Sequence, residues 1–129
     1  MKKTNEDRLL TETELELMNI VWKLGEGSVA DVMGELPIGR ELAYTSVSTI
    51  LRILEQKKIL VARKEGRGHI YSPLLTKENY EERTVHHMVE HVFDGTPMAL
   101  ARQLLQTTQL SQEELNELKQ MIAGKEKNQ

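Results

Sequence analysis

Thr45, Ser46, Ser48, Thr49 and Arg52 are hydrogen-bonding side chains interleaved with Val47, Ile50, Leu51 and Leu54, which fall at i, i+3, i+4 and i+7. At the helical period this spacing gathers the aliphatics into one buried stripe and leaves the hydroxyls and the arginine outside. Short hydroxyls reach phosphates and base edges at close range, and a guanidinium can fork onto guanine. A helix built this way has the chemistry of a major-groove reader. Arg67, flanked by Gly66 and Gly68, sits where the backbone can approach a phosphate closely, for a phosphate or minor-groove contact. Arg40 and Tyr44 complete the candidate set; Tyr44 fits either a lid on the core or a contact to a nucleic-acid backbone.

These side chains need elements to hold them. Ile59 to Arg63 and His69 to Ser72 are rich in Ile, Val and Tyr, and Lys64-Glu65-Gly66-Arg67-Gly68 lies between them. The two runs read as a hairpin with a flexible cationic tip. Helix followed by hairpin at this spacing predicts a winged helix-turn-helix. Upstream, Thr11-Glu12-Thr13-Glu14 is a capping box, with Leu10 and Leu15 placed to staple across it. It opens a helix carrying Leu15, Met18, Val21 and Trp22 inward and ending near Gly25-Glu26-Gly27. Ser28 and Asp31 cap a second helix with Val29, Val32, Met33 and Leu36 as its stripe, stopped by Pro37 and Gly39.

After Pro73 the pattern is helical only. Thr76 opens a long helix whose Val85, Met88, Val89 and Val92 repeat the i, i+3, i+4, i+7 spacing, and Asp94-Gly95 ends it. Thr96-Pro97 reads as a cap with proline at the first helical position, starting a shorter helix bearing Met98, Ala101, Leu104 and Leu105. Ser111-Gln112-Glu113-Glu114 is a second capping box, leading to Leu115, Leu118, Met121 and Ile122, and the tail from Gly124 reads as polar and frayed. These helices hold too few large residues to fold alone. A second copy is the economical partner, because a two-fold dimer makes one core from two half-cores. The expected contact residues are Val85, Met88, Val89, Val92, Phe93, Leu100, Leu104, Leu115, Leu118 and Ile122.

The chain has 129 residues, 39% hydrophobic and 29% charged, a composition of folded globular domains. It contains no cysteine, which excludes disulfides, zinc-thiolate sites and thiol switching. No apolar run reaches membrane-spanning length and the first residues carry no signal-peptide segment, so a cytoplasmic protein is expected. A net charge of −3 argues at first sight against a nucleic-acid partner. The charges are unevenly spread, however. Residues 1–39 hold four cations and eight anions, whereas residues 40–70 hold seven cations (Arg40, Arg52, Lys57, Lys58, Arg63, Lys64, Arg67) and three anions. Exposed charges are screened beyond roughly 8 Å at physiological salt, so a phosphate responds to the local excess more than to the sum.

His87 and His91 stand at i, i+4, a spacing at which two imidazoles can share a metal ion, with His86 beside them. No third and fourth ligand is evident nearby, so a polar or semi-buried histidine cluster flanking the apolar stripe is the favoured reading and no metal site is expected. Trp22 and Phe93 read as core residues. There is no nucleophile with a base at a readable spacing, no phosphate-binding glycine loop after a strand and no carboxylate pair in an apolar setting. No enzymatic activity and no cofactor are expected.

The segments LTETELELMNIVW (10–22), AYTSVSTILRILEQK (43–57), EGRGHIYSPL (65–74), FDGTPMAL (93–100) and LSQEELNEL (110–118) occur in this order over almost the whole chain. Together they resemble the penicillinase-repressor family, the BlaI/MecI/CopY transcriptional regulators. The resemblance implies a mainly α (α+β) fold, with a winged helix-turn-helix DNA-binding domain (1–75) and a C-terminal helical dimerisation domain (76–129). It implies a homodimer repressing from a pseudo-palindromic operator, with Thr45, Ser46, Ser48, Thr49 and Arg52 on the reading helix and Arg67 on the wing. Two positions depart from the family pattern: many members have Arg where this chain has Ile53, and Gly where it has Lys58. A non-glycine residue at positive φ costs ~1 kcal/mol, so the reading helix is expected to end differently here. The copper-responsive members use cysteines, absent from this chain. The β-lactam-responsive members are cut at an Asn-Phe bond, whereas the single Phe93 here follows Val92. Any regulatory protease or effector stays unidentified. A winged helix used as a protein-binding adaptor, or a repressor under metal control through His87 and His91, are the other readings.

Overall fold

The structure, a computed structural model, describes residues 9–128. Six helices and one hairpin follow in the order α1 (Glu12–Leu24), α2 (Val29–Gly34), α3 (Tyr44–Gln56), β1 (Leu60–Glu65), β2 (Gly68–Pro73), α4 (Lys77–His91), α5 (Pro97–Thr107) and α6 (Gln112–Lys127). The fold is thus mainly helical with a small antiparallel wing. By internal contacts, one compact unit ends at Val85 and a second begins at His86, so the division falls within α4.

In the first unit, the Thr11 hydroxyl accepts from the Glu14 amide and the Glu14 carboxylate accepts from the Thr11 amide; Ser28 and Asp31 do the same for α2. Each cap satisfies amides that a helix start leaves unpaired. The core is built from Leu17, Met18, Val21, Val32, Val47, Leu51, Leu54 and Leu60, all sealed from solvent. Each such aliphatic contributes about 1.5–3 kcal/mol by leaving water. On α1 the buried face is Leu17, Met18, Ile20 and Val21, so it is rotated from the expected one: Leu15 and Trp22 lie at its margins, half-buried. Trp22 sits there because its indole N–H donates to the Leu75 carbonyl at 2.9 Å while its ring leans on Tyr80, with centroids 5.8 Å apart. The Tyr80 hydroxyl in turn accepts from the Leu10 amide at 3.1 Å. The first part of α4 is thereby packed into this unit.

The hairpin pairs Leu60 with Pro73 through Glu65 with Gly68. The ladder runs further than expected: Lys64 and Glu65 are within β1, and the loop contracts from five residues to Gly66-Arg67. Gly66 has φ 61, the positive value that a two-residue loop of this kind places at its first position, and a glycine takes it without strain. A single bridge on the other edge of β2 comes from Gly27, whose N–H donates to Tyr71 at 3.0 Å and whose carbonyl accepts from Tyr71 at 2.8 Å. A Cβ on Gly27 would stand 3.2 Å from the Asp31 Cβ and 3.3 Å from Leu24 Cδ1, so a larger residue would require those side chains to give way.

The end of α3 is a second departure. Lys58 adopts φ 63, the Ile59 amide donates to Leu54 at 2.9 Å, and the Lys58 amide donates to Glu55 at 2.9 Å. That is the glycine-type Schellman ending, made here by lysine. The expected change of helix ending does not occur; the backbone keeps the geometry and carries the strain.

In the second unit, Ser111 and Glu114 form the expected capping box, and the Ser111 contacts hold the Glu114 carboxyl below the usual range. Thr96 stands at the N-cap of α5 but makes no side-chain cap bond, leaving Pro97 to start the helix. The segment from Gly124 is not frayed: α6 continues to Lys127. Among the described residues no helix is long and apolar enough to cross a membrane.

Candidate nucleic-acid interface

The stripe of α3 is buried as its spacing requires, with Val47, Leu51 and Leu54 sealed and Ile50 packed at the edge. This fixes the rotation of the helix. Tyr44, Thr45, Ser46, Thr49 and Arg52 consequently face solvent, and Ser48 is half-buried at the margin. Tyr44 is 58% exposed, which removes the core-lid alternative. Ala43 at the N-cap has no side-chain bond to offer, so the first-turn amides point outward without a side-chain cap.

The hairpin lies beside this helix. Residues directly opposite in an antiparallel ladder share a face, and positions alternate along each strand. Lys64 and His69 are paired, and they lie on the same face as Leu60 and Tyr71, both buried in the core. Tyr71 marks where that face meets α3. Burial raises its phenol above the ordinary range, with Glu55 and Tyr44 adding to the rise and Arg52 opposing it. Lys64 and His69 therefore project from the α3 side of the wing, with Arg67 exposed at its turn. Neither belonged to the expected set; counting alternate positions outward from Leu60 would have found them.

The basic segment is less free than its sequence suggests. Glu14 receives the Lys57 ammonium at 2.8 Å. Burial opposes ionisation of this carboxyl, but Lys57 and the Thr11 amide outweigh it and hold it below the usual range. Arg40 donates from Nε and Nη2 to Glu16, at 2.9 to 3.2 Å, and this raises the guanidinium further. Arg63 grips Glu26 end-on through Nη1 and Nη2 at 2.8 and 2.7 Å, with Glu65 at 3.4 Å. The pairing depresses Glu26 and raises Arg63. Among the described residues, Arg52, Lys58, Lys64 and Arg67 have no ion-pair partner. Three of the four lie on α3 or the wing.

The histidines form no evident metal centre. His87 and His91 lie with ring centroids 4.3 Å apart and planes tilted by 40°, and among the described residues no group of three or more His, Cys, Asp or Glu could hold an ion.

The penicillinase repressor family model matches residues 10–124, which takes in every element of both units apart from the last turn of α6. The chain belongs to the penicillinase repressor family. The family is one of DNA-binding transcriptional repressors. The penicillinase repressor of Bacillus licheniformis is 31% identical over 113 residues, covering 88% of each chain. The methicillin resistance regulatory protein MecI of Staphylococcus aureus (strain N315) is 22% identical over 116 residues, covering 90% of this chain and 94% of that one. The solution structure of the DNA-binding domain of the repressor BlaI aligns at 30% identity with a TM-score of 0.51, covering 62% of this chain and 94% of that domain. Family membership thus rests on residues 10–124, and the likeness to the solved DNA-binding domain on 62% of the chain.

Proposed function

We propose that the chain is a homodimeric repressor that inserts α3 into the major groove of a pseudo-palindromic operator and sets the wing on the adjacent backbone. The observation that carries this reading is the outward face of α3, where Thr45, Ser46, Thr49 and Arg52 stand exposed while Val47, Leu51 and Leu54 lock the helix against rotation. Arg52 is the candidate base contact, and Thr45, Ser46, Ser48 and Thr49 reach base edges or phosphates. Tyr44, Arg67 and Lys64 serve the backbone. Dimerisation is supported by the second unit, where Met98, Leu104, Leu105, Met121 and Ile122 are all more than half exposed and face a groove of about 700 Å³ between α5 and α6. Leu115 and Leu118 line the same groove, half-buried. Val85 and Val92 are likewise open, whereas Val89 is already buried within one chain and Met88, Phe93 and Leu100 are partly covered. A contiguous apolar surface of this kind calls for a partner. Two half-sites would then lie one helical turn, or a multiple, apart.

The test is binding of the purified full chain to the duplex upstream of its own gene, followed by fluorescence anisotropy across a salt series. Salt-sensitive binding is expected. Arg52→Ala should weaken it by about 1–3 kcal/mol and relax preference at one base pair. Equal weakening on every sequence would make Arg52 a phosphate contact, and no salt-sensitive complex at all would favour a protein-binding adaptor.

A further inference from the structure

We propose that Glu16 and Glu26 are affinity-setting residues: by holding Arg40 and Arg63 in exposed ion pairs, they withhold two cations from the DNA backbone and lower binding to duplex of any sequence. The proposal rests on the DNA-binding reading above and goes beyond it. It arises from a contradiction within the molecule, which presents a basic segment to its partner yet cancels much of it internally.

The two pairs differ from the third in what they do for the fold. Glu14 is buried, caps α1 and anchors Lys57, so its pair belongs to the core. The Arg40–Glu16 side chains are 42% and 26% exposed, and the Arg63–Glu26 side chains 53% and 50%. Exposed pairs of this kind add little stability, a median of about 0–1 kcal/mol, so holding the fold together does not explain them. Their placement does. Arg40 lies just before the first turn of α3, and Arg63 lies in β1 on the ladder face opposite that of Lys64, the outer face of the wing. Arg40 thus precedes the helix, and Arg63 belongs to the wing, that the reading above assigns to DNA.

The geometry shows how completely each arginine is engaged. Glu26 takes both terminal nitrogens of Arg63, the edge a phosphate would otherwise receive. Glu16 takes Nε and Nη2 of Arg40, and its carboxylate cancels the charge beside any phosphate that the guanidinium could reach. A phosphate must therefore displace one carboxylate and share a guanidinium with the other. Because phosphate contacts carry no sequence information, withdrawing them leaves recognition to the side chains of α3.

The experiment compares the full-length chain with Glu16→Gln, Glu26→Gln and the double variant. Glutamine keeps the side-chain size and removes the charge. Each is titrated with the duplex upstream of its own gene and with an arbitrary duplex of equal length, over a range of salt. Each substitution should raise affinity for both duplexes by about fivefold near 0.15 M salt and steepen the salt dependence by about 0.9 per protomer, the contribution of one further neutralised phosphate. Glu113→Gln on α6 changes net charge equally and should do neither. Thermal unfolding of every variant reports whether the fold is kept. Unchanged affinity and slope would place the arginines beyond reach of DNA and overturn the proposal. Weaker binding would also overturn it, by showing that the carboxylates orient the arginines instead. A gain matched by Glu113→Gln would assign the effect to whole-protein charge. A native chain with no salt-dependent binding would sink the DNA-binding reading itself; a native chain that binds, with no tighter variant, sinks this proposal alone.

Discussion

Replacing Lys58 with glycine should stabilise the first compact unit. Lys58 closes α3 with φ 63, and its amide and that of Ile59 make both bonds of the Schellman ending. An L-residue in the left-handed region carries about 1–2 kcal/mol of steric cost from its Cβ against the following carbonyl. Glycine removes that cost but frees the unfolded chain, which returns about 0.4–1 kcal/mol. The lysine side chain is exposed and has no ion-pair partner among the described residues, so little packing is lost. The net gain is about 0.5–1 kcal/mol, and for a unit of this size it should raise the unfolding midpoint by about 2–8 °C. Differential scanning calorimetry reads the shift. Lys58→Ala is the decisive companion, because it removes the same charge while retaining Cβ, and it should give no gain. A Lys58→Gly chain that melts at or below the native temperature, or an alanine variant stabilised as much as the glycine one, would refute the reasoning.

Other consequences can be checked alongside. Lys57 and the Thr11 amide hold Glu14 below the ordinary carboxylate value, so the unfolded chain binds a proton more readily than the native one there. Its contribution is therefore complete above about pH 4.5 and is lost as pH falls through the lowered native value. Denaturant melts between pH 3 and 6 should show stability declining towards acid, less steeply in Glu14→Gln; identical slopes would remove Glu14 from that role. Lys57→Met leaves the same carboxylate without its charged partner and should cost about 2 kcal/mol in urea unfolding. In the second unit, Leu104→Glu places a charge on the open α5–α6 face. Sedimentation should show a dimer becoming a monomer, and an unchanged mass would place the contact elsewhere. Gly66→Val forces a β-branched residue to positive φ at the wing turn and should destabilise by about 1–2 kcal/mol.

How much of this was readable beforehand depended on range along the chain. The α3 stripe was legible because Val47, Ile50, Leu51 and Leu54 state the helical period outright, and with it went the outward set from Thr45 to Arg52. The capping boxes at Thr11, Ser28 and Ser111 were legible because their chemistry is complete within four residues. The wing was visible as two β-prone runs, but its turn was set two residues wide by ladder pairs reaching Glu65 and Gly68, and flanking glycines left that width open. The rotated face of α1 depended on Trp22 reaching Leu75, a long-range contact that local periodicity does not encode. The same holds for the interface: Glu14–Lys57, Glu16–Arg40 and Glu26–Arg63 join residues separated by 24 to 43 positions. A charge tally by segment saw the acidic and basic halves without seeing that they cancel. Lys58 erred in the opposite direction, since the surrounding hydrogen bonds hold a backbone geometry that its own side chain disfavours.

The root of α4 has a consequence for how this molecule could be divided. Severing the chain directly after Pro73, at the visible close of the hairpin, would remove the Leu75 carbonyl from the Trp22 indole and the Tyr80 hydroxyl from the Leu10 amide together. Both partners belong to the opening stretch of the protein, so the wound would be felt at its far end. The smallest self-sufficient reading fragment must therefore extend past Tyr80. A peptidase acting upstream of that tyrosine would loosen the winged helix directly, whereas one acting beyond Val85 would detach the remaining helices and leave it folded.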